Sequence, residues 1–356
     1  MMAGHDRPVL ITGGAGFIGA NLADHLAHRG HTVRVLDDLS RSGVDRNLAW
    51  LRAQHGELID ARIADVRDPG AVRAAVHQVA AVFHFAGQTA VTTSLREPRH
   101  DFSVNAGGTI ELLEAVRRMP EPAPVVFTST NKVYGCLSDL ALRIEGSRWR
   151  PADDEIAARG IGERRGLAFR TPYGCSKGAA DQYVLDYAHS FQLPAVVFRM
   201  SCIYGPRQRG TEDQGWVAHF LLRAIDGAPI TIYGDGRQVR DVLFVRDLIH
   251  ALVHAWTQIE VVRGHAYNIG GGPSNTLSPG ELIDMIGQLR GRRPEVRFEP
   301  WREGDQRYYV SDTRAFAAAT GWQPRIGAHA GVEVLHGWLL EGGAGPEQRE
   351  VSRGEP

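Results

Sequence analysis

The sequence is poor in cysteine and has no excess of either charge. Its 356 residues include three cysteines, Cys136, Cys175 and Cys202. They are too few and too scattered for a disulfide framework or a zinc cluster, and no metal site is expected. That scarcity suits a reducing compartment, so the expected location is the cytoplasm. Lys and Arg number 40 against 41 Asp and Glu, a formal charge of −1. No global positive field exists to attract nucleic acid or an anionic membrane, and neither is an expected partner. No apolar run approaches the ~20 residues that span a bilayer. The N-terminal stretch MMAGHDRPVLITGG has no signal-like apolar core, because its apolar run is short and ends in Gly. With 43% hydrophobic and 23% charged residues, the composition is neither collagen-like nor that of a disordered chain. At about 150 residues per domain, the length fits one large domain or two closely joined ones.

What the first half does contain is alternation. Short apolar runs at 9–12, 33–38, 57–65, 81–87, 125–130 and 196–200 read as strands. Between them lie helical patterns, such as Phe17–Arg29 with Phe17, Ile18, Leu22 and Leu26 on one spacing. Asp68-Pro69 supplies a cap and a first-turn proline for another. Continuous apolar strands between helices predict an α/β fold, a Rossmann-type doubly wound parallel sheet. After Ser201 the pattern loosens, with helices near 215–225, 247–256 and 277–289 and strands near 230–233, 266–269 and 296–299. This predicts a smaller C-terminal α/β substrate domain partly interleaved with the sheet. The expected division is 1–200 for nucleotide binding, 201–340 for substrate and a disordered tail over 341–356. The stretch 136–169 is charged and without period, so it reads as either disordered or a lid.

Gly13, Gly16 and Gly19 lie directly between the first strand and the first helix. Glycines there let the backbone turn tightly and approach a pyrophosphate, and the helix N-terminus adds free N–H groups. Asp37 ends the second strand, 18 residues after Gly19. That is near the ~20 expected for the carboxylate that binds adenosine ribose hydroxyls. It favours NAD over NADP, although Arg41 nearby is a residue type that accepts a 2′-phosphate. Asp65, with Val66 beside it, ends the third strand and reads as either an adenine neighbour or a turn former.

Tyr173 and Lys177 stand four apart behind a Thr171-Pro172 helix start, so they share one helix face. A Lys beside a Tyr lowers a phenol pKa that is ordinarily ~10, which would make Tyr173 a base. Taken alone, the pair also reads as a solvated face. Thr130 at the carboxyl end of the fifth strand changes that, because ligands bind at such ends.

Together these residues resemble the extended short-chain dehydrogenase/reductase superfamily, in its NAD-dependent sugar-nucleotide epimerase/dehydratase branch. The segment Phe198-Arg199-Met200-Ser201-Cys202-Ile203-Tyr204-Gly205-Pro206 and the motif Val239-Arg240-Asp241-Val242 resemble it too. The similarity spans roughly residues 8 to 340. A narrower set is similar to members acting at C2 of CDP-hexoses: 128–135, 86–94, YGCSKGAADQY from Tyr173, DQGWV from Asp213 and REGDQR from Arg302. Gly304 stands where those members carry Ser, and 136–169 is not closely matched.

The resemblance implies a catalytic set of Thr130, Tyr173 and Lys177. It implies that Gly13, Gly16, Phe17, Ile18, Gly19, Asp37, Asp38, Ser40, Arg41, Asp65, Val66, Ala86, Gln88, Asn105, Tyr173, Lys177 and Arg199 lie around NAD. Gln88, Thr130, Asn131, Tyr173, Gln214, Arg240 and Arg302 would meet a nucleotide-sugar substrate. The two arginines would clamp its diphosphate; from the residues alone, each reads equally as a surface charge. The implied activity is NAD-dependent epimerisation, at C2 of a CDP-hexose of the CDP-paratose, CDP-tyvelose or CDP-glucose type. A 4-epimerase needs the same residues. A 4,6-dehydratase would need carboxylates where Asn131 and Lys132 stand, and a non-catalytic NAD-binding sensor would not need the intact set. A homodimer is also implied, paired through His100–Arg118 and Pro172–Ser190. His84, between Phe83 and Phe85, reads as a satisfied core histidine.

Overall fold

The computed structural model describes residues 7–343. Along the first stretch run β1 (Val9–Thr12), α1 (Phe17–Ala27), β2 (Val33–Asp37), α2 (Val44–His55), β3 (Ile59–Ile63), α3 (Pro69–Val76), β4 (Ala81–His84), α4 (Val91–Arg96), α5 (Pro98–Phe102), α6 (Gly108–Arg117) and β5 (Val125–Thr130). Next come β6 (Leu142–Glu145), β7 (Arg148–Pro151), α7 (Asp154–Arg159), α8 (Thr171–Ser190), β8 (Ala195–Met200) and β9 (Cys202–Tyr204). The remainder holds α9 (Trp216–Ile225), β10 (Ile230–Tyr233), β11 (Val239–Phe244), α10 (Val245–Thr257), α11 (Ile259–Val262), β12 (Ala266–Ile269), β13 (Thr276–Leu277), α12 (Pro279–Arg290), β14 (Val296–Glu299), β15 (Tyr308–Tyr309), α13 (Arg314–Thr320) and α14 (Ala328–Leu340).

Seven strands form one parallel sheet in the order β12-β8-β5-β4-β1-β2-β3. The direction of winding reverses between β1 and β4, where doubly wound sheets bind ligands outside the carboxyl ends of the strands. Both faces are covered. Leu10, Val82, Phe127 and Val197 pack with Val72 and Val76 of α3, Leu112 and Val116 of α6 and Val184 of α8. The alternate residues Val9, Ile11, Val35 and Phe83 are fully buried as well, and Trp256 of α10 meets the Phe83 ring edge-on. Asp68 caps α3 by accepting from the Gly70 and Ala71 N–H groups, with Pro69 in the first turn.

The described chain falls into two compact units. One comprises 7–130, Pro172–Arg199 and Ile249–Tyr267; the other comprises Asn131–Thr171, Met200–Leu248 and 268–343. The division therefore differs from the expected single boundary at 200. Segment 131–171 joins the second unit, and 249–267 returns to the first. The strand expected near 266–269 is the edge strand of the large sheet, which is the physical form of the interleaving.

The second unit has its own core, where Val217 and Leu221 of α9, Leu282 and Ile286 of α12, and Leu335 and Leu339 of α14 surround Phe244. Its strands form small sheets: β10 beside β14, and β11 flanked by β13, β15 and β9. Ser278 and Glu281 cap α12 reciprocally. The stretch 136–169 is not disordered: β6 and β7 pair as an antiparallel hairpin and Asp153 caps α7. Of the expected tail, 341–343 form a turn and 344–356 lie outside the described residues. Among the described residues, no helix is long and apolar enough to cross a membrane.

Candidate active site

The turn after β1 is held by backbone alone. Gly13 has φ +67°, and a Cβ there would lie 2.7 Å from the Ala86 nitrogen. At Gly19 a Cβ would lie 2.3 Å from the Gly13 oxygen, so helix and turn touch without a side chain between them. Gly16 precedes α1 without a side-chain cap, and no acidic residue occupies the first turn, which Phe17 and Ile18 begin. The first N–H groups of α1 therefore offer an anion site. Asp37 closes β2, with Oδ2 accepting from the Ala15 N–H at 3.0 Å and Oδ1 from the Leu39 N–H at 2.9 Å. Burial raises its pKa above the ordinary value, and the backbone N–H groups of Leu39, Ala15 and Gly16 oppose the rise. This donor set, an uncapped helix start and a fixed carboxylate at adjacent strand ends, fits a dinucleotide.

The neighbouring expectations fare differently. Asp38 Oδ1 accepts from the Ser40 N–H and Oγ at 3.0 and 2.7 Å. Arg41 Nη1 donates to Thr89 Oγ1 at 3.3 Å. Asp65 is held by Arg67, whose Nε donates to it at 2.9 Å; that pairing depresses its pKa. Val66 lies beneath Gly108, where a Cβ would come within 2.6 Å of it. The Ala86 N–H donates to Thr12 Oγ1 at 3.2 Å. Arg199 is committed to a buried pair, with Nε and Nη2 each 2.9 Å from an Asp181 oxygen. This pair fixes the guanidinium at the end of β8.

Thr130 ends β5, and its side chain hydrogen-bonds the Tyr173 phenol in the first turn of α8. The Tyr173 N–H is fixed by Ser94 Oγ at 3.1 Å. Lys177 Nζ donates to the Thr128 carbonyl at 2.6 Å and lies 4.3 Å above the Phe127 ring. Burial brings Lys177 down to about 8 from an ordinary 10.5, opposed by the Asp181 and Asp101 carboxylates. The expected lowering of Tyr173 does not appear in the protein alone. Burial pushes the phenol up to about 12, Asp101 adds to the rise and Thr130 opposes it.

Beneath this pair lies a buried polar cluster in which Gln88 and Asn105 were expected site residues and Asp101 and Ser176 were not. Asp101 is fully buried; Ser176 Oγ donates to its Oδ2, and Gln88 Nε2 donates to its Oδ1 at 2.9 Å. Asn105 Nδ2 reaches Asp101 Oδ1 at 3.2 Å, Ser176 Oγ at 3.0 Å and the Gln88 carbonyl at 3.1 Å. Asn105 sits in a π-helical turn, Ser103–Gly107, between α5 and α6. Such a turn re-aims side chains and is common at functional sites. The side chain of Gln88 therefore braces this cluster, donating to Asp101 and to the Ala90 carbonyl. The nearest sequence signals were Asp101 four residues before Asn105, and Ser176 beside Lys177. His84 is a satisfied core residue, between Thr12 Oγ1 at 2.6 Å and Thr109 Oγ1 at 3.0 Å.

In the second unit, Asn131 Nδ2 lies 3.4 Å from Gln306 Oε1, and Lys132 Nζ donates to the Gly304 carbonyl at 3.0 Å. Burial, then Arg240, lowers the Lys132 pKa. Arg240 donates to the Val239 and Gln306 carbonyls at 2.9 and 2.6 Å. Arg302 stacks 3.6 Å over the Tyr233 ring and donates to the Glu212 carbonyl at 2.9 Å. Gln214 exchanges backbone bonds with Thr211. Lys132 and Gln306 were not among the expected contacts.

The family described as the NAD dependent epimerase/dehydratase family matches residues 9–270. The chain is 41% identical over 338 residues to the CDP-paratose 2-epimerase of Salmonella typhi, covering 93% of this chain and 98% of that protein. The fold is similar to the UDP-glucose 4-epimerase of Thermotoga maritima solved with UDP-glucose, with TM-score 0.80, 28% identity and coverage of 94% and 99%. It is also similar to the UDP-glucose 4-epimerase of Thermus thermophilus solved with NAD, with TM-score 0.77, 31% identity and coverage of 94% and 99%.

Proposed function

The chain belongs to the NAD dependent epimerase/dehydratase family, and from that premise we propose that it inverts C2 of a CDP-hexose. The observation that carries this reading is the likeness to the Salmonella typhi CDP-paratose 2-epimerase along nearly its whole length. Gly13, Gly16, Gly19 and the start of α1 would hold the pyrophosphate of NAD, and Asp37 its adenosine ribose. When bound, NAD supplies a reversible hydride acceptor, so a sugar carbon passes through a ketone without net oxidation.

The chain's own residues handle the proton. Tyr173 takes it from the sugar hydroxyl, while Thr130 holds the phenol in place. A phenol titrating near 12 is a poor base at neutral pH. It therefore needs positive charge beside it, which Lys177, one turn along α8, carries. Asp101, Ser176 and Asn105 position that turn. Within the second unit, Arg240 and Arg302 are residues of the type that binds a diphosphate. We also propose a homodimer through α8 and the α4–α6 region, where Leu95, Phe102, Tyr183 and Phe191 are 46–61% exposed. The three free thiols suit the cytoplasm.

The likeness to UDP-glucose 4-epimerases favours a second reading, inversion at C4 by the same residues. Asn131 and Lys132 lack the carboxylic acid that expelling water requires. Incubation with CDP-, UDP-, GDP- and dTDP-hexoses, read by NMR, separates the readings. Inversion at C2 of a CDP-sugar is expected. Inversion at C4 of a UDP-sugar, with CDP-sugars untouched, would replace this proposal.

A further inference from the structure

The carboxyl ends of α1 and α2 carry a cluster that the catalytic reading does not use. Asp24 lies one turn before His28, which caps the C-terminus of α1, and His55 is the last residue of α2. One ligand atom from each lies within 4.8 Å of the other two. Asp24 Oδ1 is 2.8 Å from His55 Nε2 and 3.2 Å from His28 Nδ1, which is also 2.9 Å from the Asp24 carbonyl oxygen. The imidazole rings stand edge to face, 4.6 Å between centroids. The His55 side chain is 6% exposed and fixed, whereas His28 is 64% exposed and leaves the cluster open to solvent.

We propose that Asp24, His28 and His55 form a binding site for a divalent transition metal of the zinc class. Two imidazole nitrogens and one carboxylate oxygen are a zinc ligand set with a fourth position left for water. Magnesium and calcium prefer oxygen ligands throughout, so this set selects against them. The local field favours a cation. The negative ends of two helix dipoles converge on one carboxylate. Metal binding would replace the His55 Nε2 contact with Asp24 Oδ1 and the His28 Nδ1 contacts with the Asp24 carboxylate and carbonyl. Each ring stays neutral as a ligand by carrying its proton on its other nitrogen. The consequence is a clip between two helices that frame the glycine turn: α1 begins there, and α2 is tied to it by Asn47 Nδ2, which donates to the Ala15 carbonyl at 3.0 Å.

The test uses the full-length protein after dialysis against chelator and then chelator-free buffer. Zinc chloride is titrated by calorimetry and cobalt chloride by visible absorption. One saturable equivalent, cobalt bands of a four-coordinate N/O site and a raised melting temperature are expected, because a ligand binding only the folded state stabilises it. Replacing a residue that merely orients a ligand costs at least about tenfold in metal affinity, so His28→Ala and Asp24→Asn should each weaken zinc by at least that. His28 is exposed enough that its replacement disturbs little packing. His265→Ala, at an exposed histidine elsewhere, should leave the affinity unchanged. Absence of saturable zinc binding up to millimolar metal overturns the proposal. So does an affinity for zinc that His28→Ala leaves intact.

Discussion

Asp181→Ala is the sharpest test of the first unit's interior. Asp181 is fully buried and the Arg199 side chain is 6% exposed. Two parallel bonds of 2.9 Å join them. Removing the carboxylate leaves a guanidinium in the interior without its counter-charge, which typically costs about 3–5 kcal/mol. Replacing both partners by apolar residues of similar volume removes the uncompensated charge, so Asp181→Leu with Arg199→Met should regain most of that loss. Urea unfolding at pH 7.5, at one fixed NAD concentration, measures all three proteins. A loss below about 1 kcal/mol for Asp181→Ala would refute the reasoning, as would a double variant no more stable than the single one. The same double variant examines the role of Arg199. With its guanidinium committed to Asp181, NAD affinity should be unchanged; a folded double variant that loses NAD would return Arg199 to the cofactor.

Three further outcomes follow from the site. Tyr173→Phe should lower kcat by about 10² to 10⁴ while bound NAD, released by denaturation and measured by chromatography, stays at its original level. Gly19→Ala places a Cβ 2.3 Å from the Gly13 oxygen, so NAD content should fall sharply; full NAD content would contradict the turn geometry. Lys177 titrates at about 8 in the protein alone, so its positive charge is present at neutral pH and lost as pH rises. The kcat/KM profile should therefore fall on the alkaline side through about 8, and Lys177→Met should remove that limb together with most of the activity.

The parts legible in the sequence are those governed by local rules. Glycine placement, apolar runs and the Thr171-Pro172 start located β1, α1, β5 and α8, since each depends on nearby residues. What escaped depends on distant partners. The edge strand Ala266–Ile269 reads like any short strand, and only its pairing assigns it to the large sheet. The β6–β7 hairpin is short, and Arg143, Glu145, Arg148 and Arg150 break up the apolar positions Leu142, Ile144 and Trp149, so its pairing is not announced by pattern. Asp101 and Ser176 are 75 residues apart and carry no pattern that announces a buried hydrogen bond. The Lys177 ammonium is held by the Thr128 carbonyl of β5, a partner that the spacing along α8 does not announce, and burial raises the Tyr173 phenol.

The central claim is transient oxidation at C2 of a CDP-hexose, and a deuterium at that carbon tests it most directly. The label leaves as hydride and returns to the same carbon without meeting solvent. The account predicts a product inverted at C2, of unchanged mass, with the label retained and no solvent deuterium gained in the reciprocal experiment. Washout of the C2 label during inversion would contradict it.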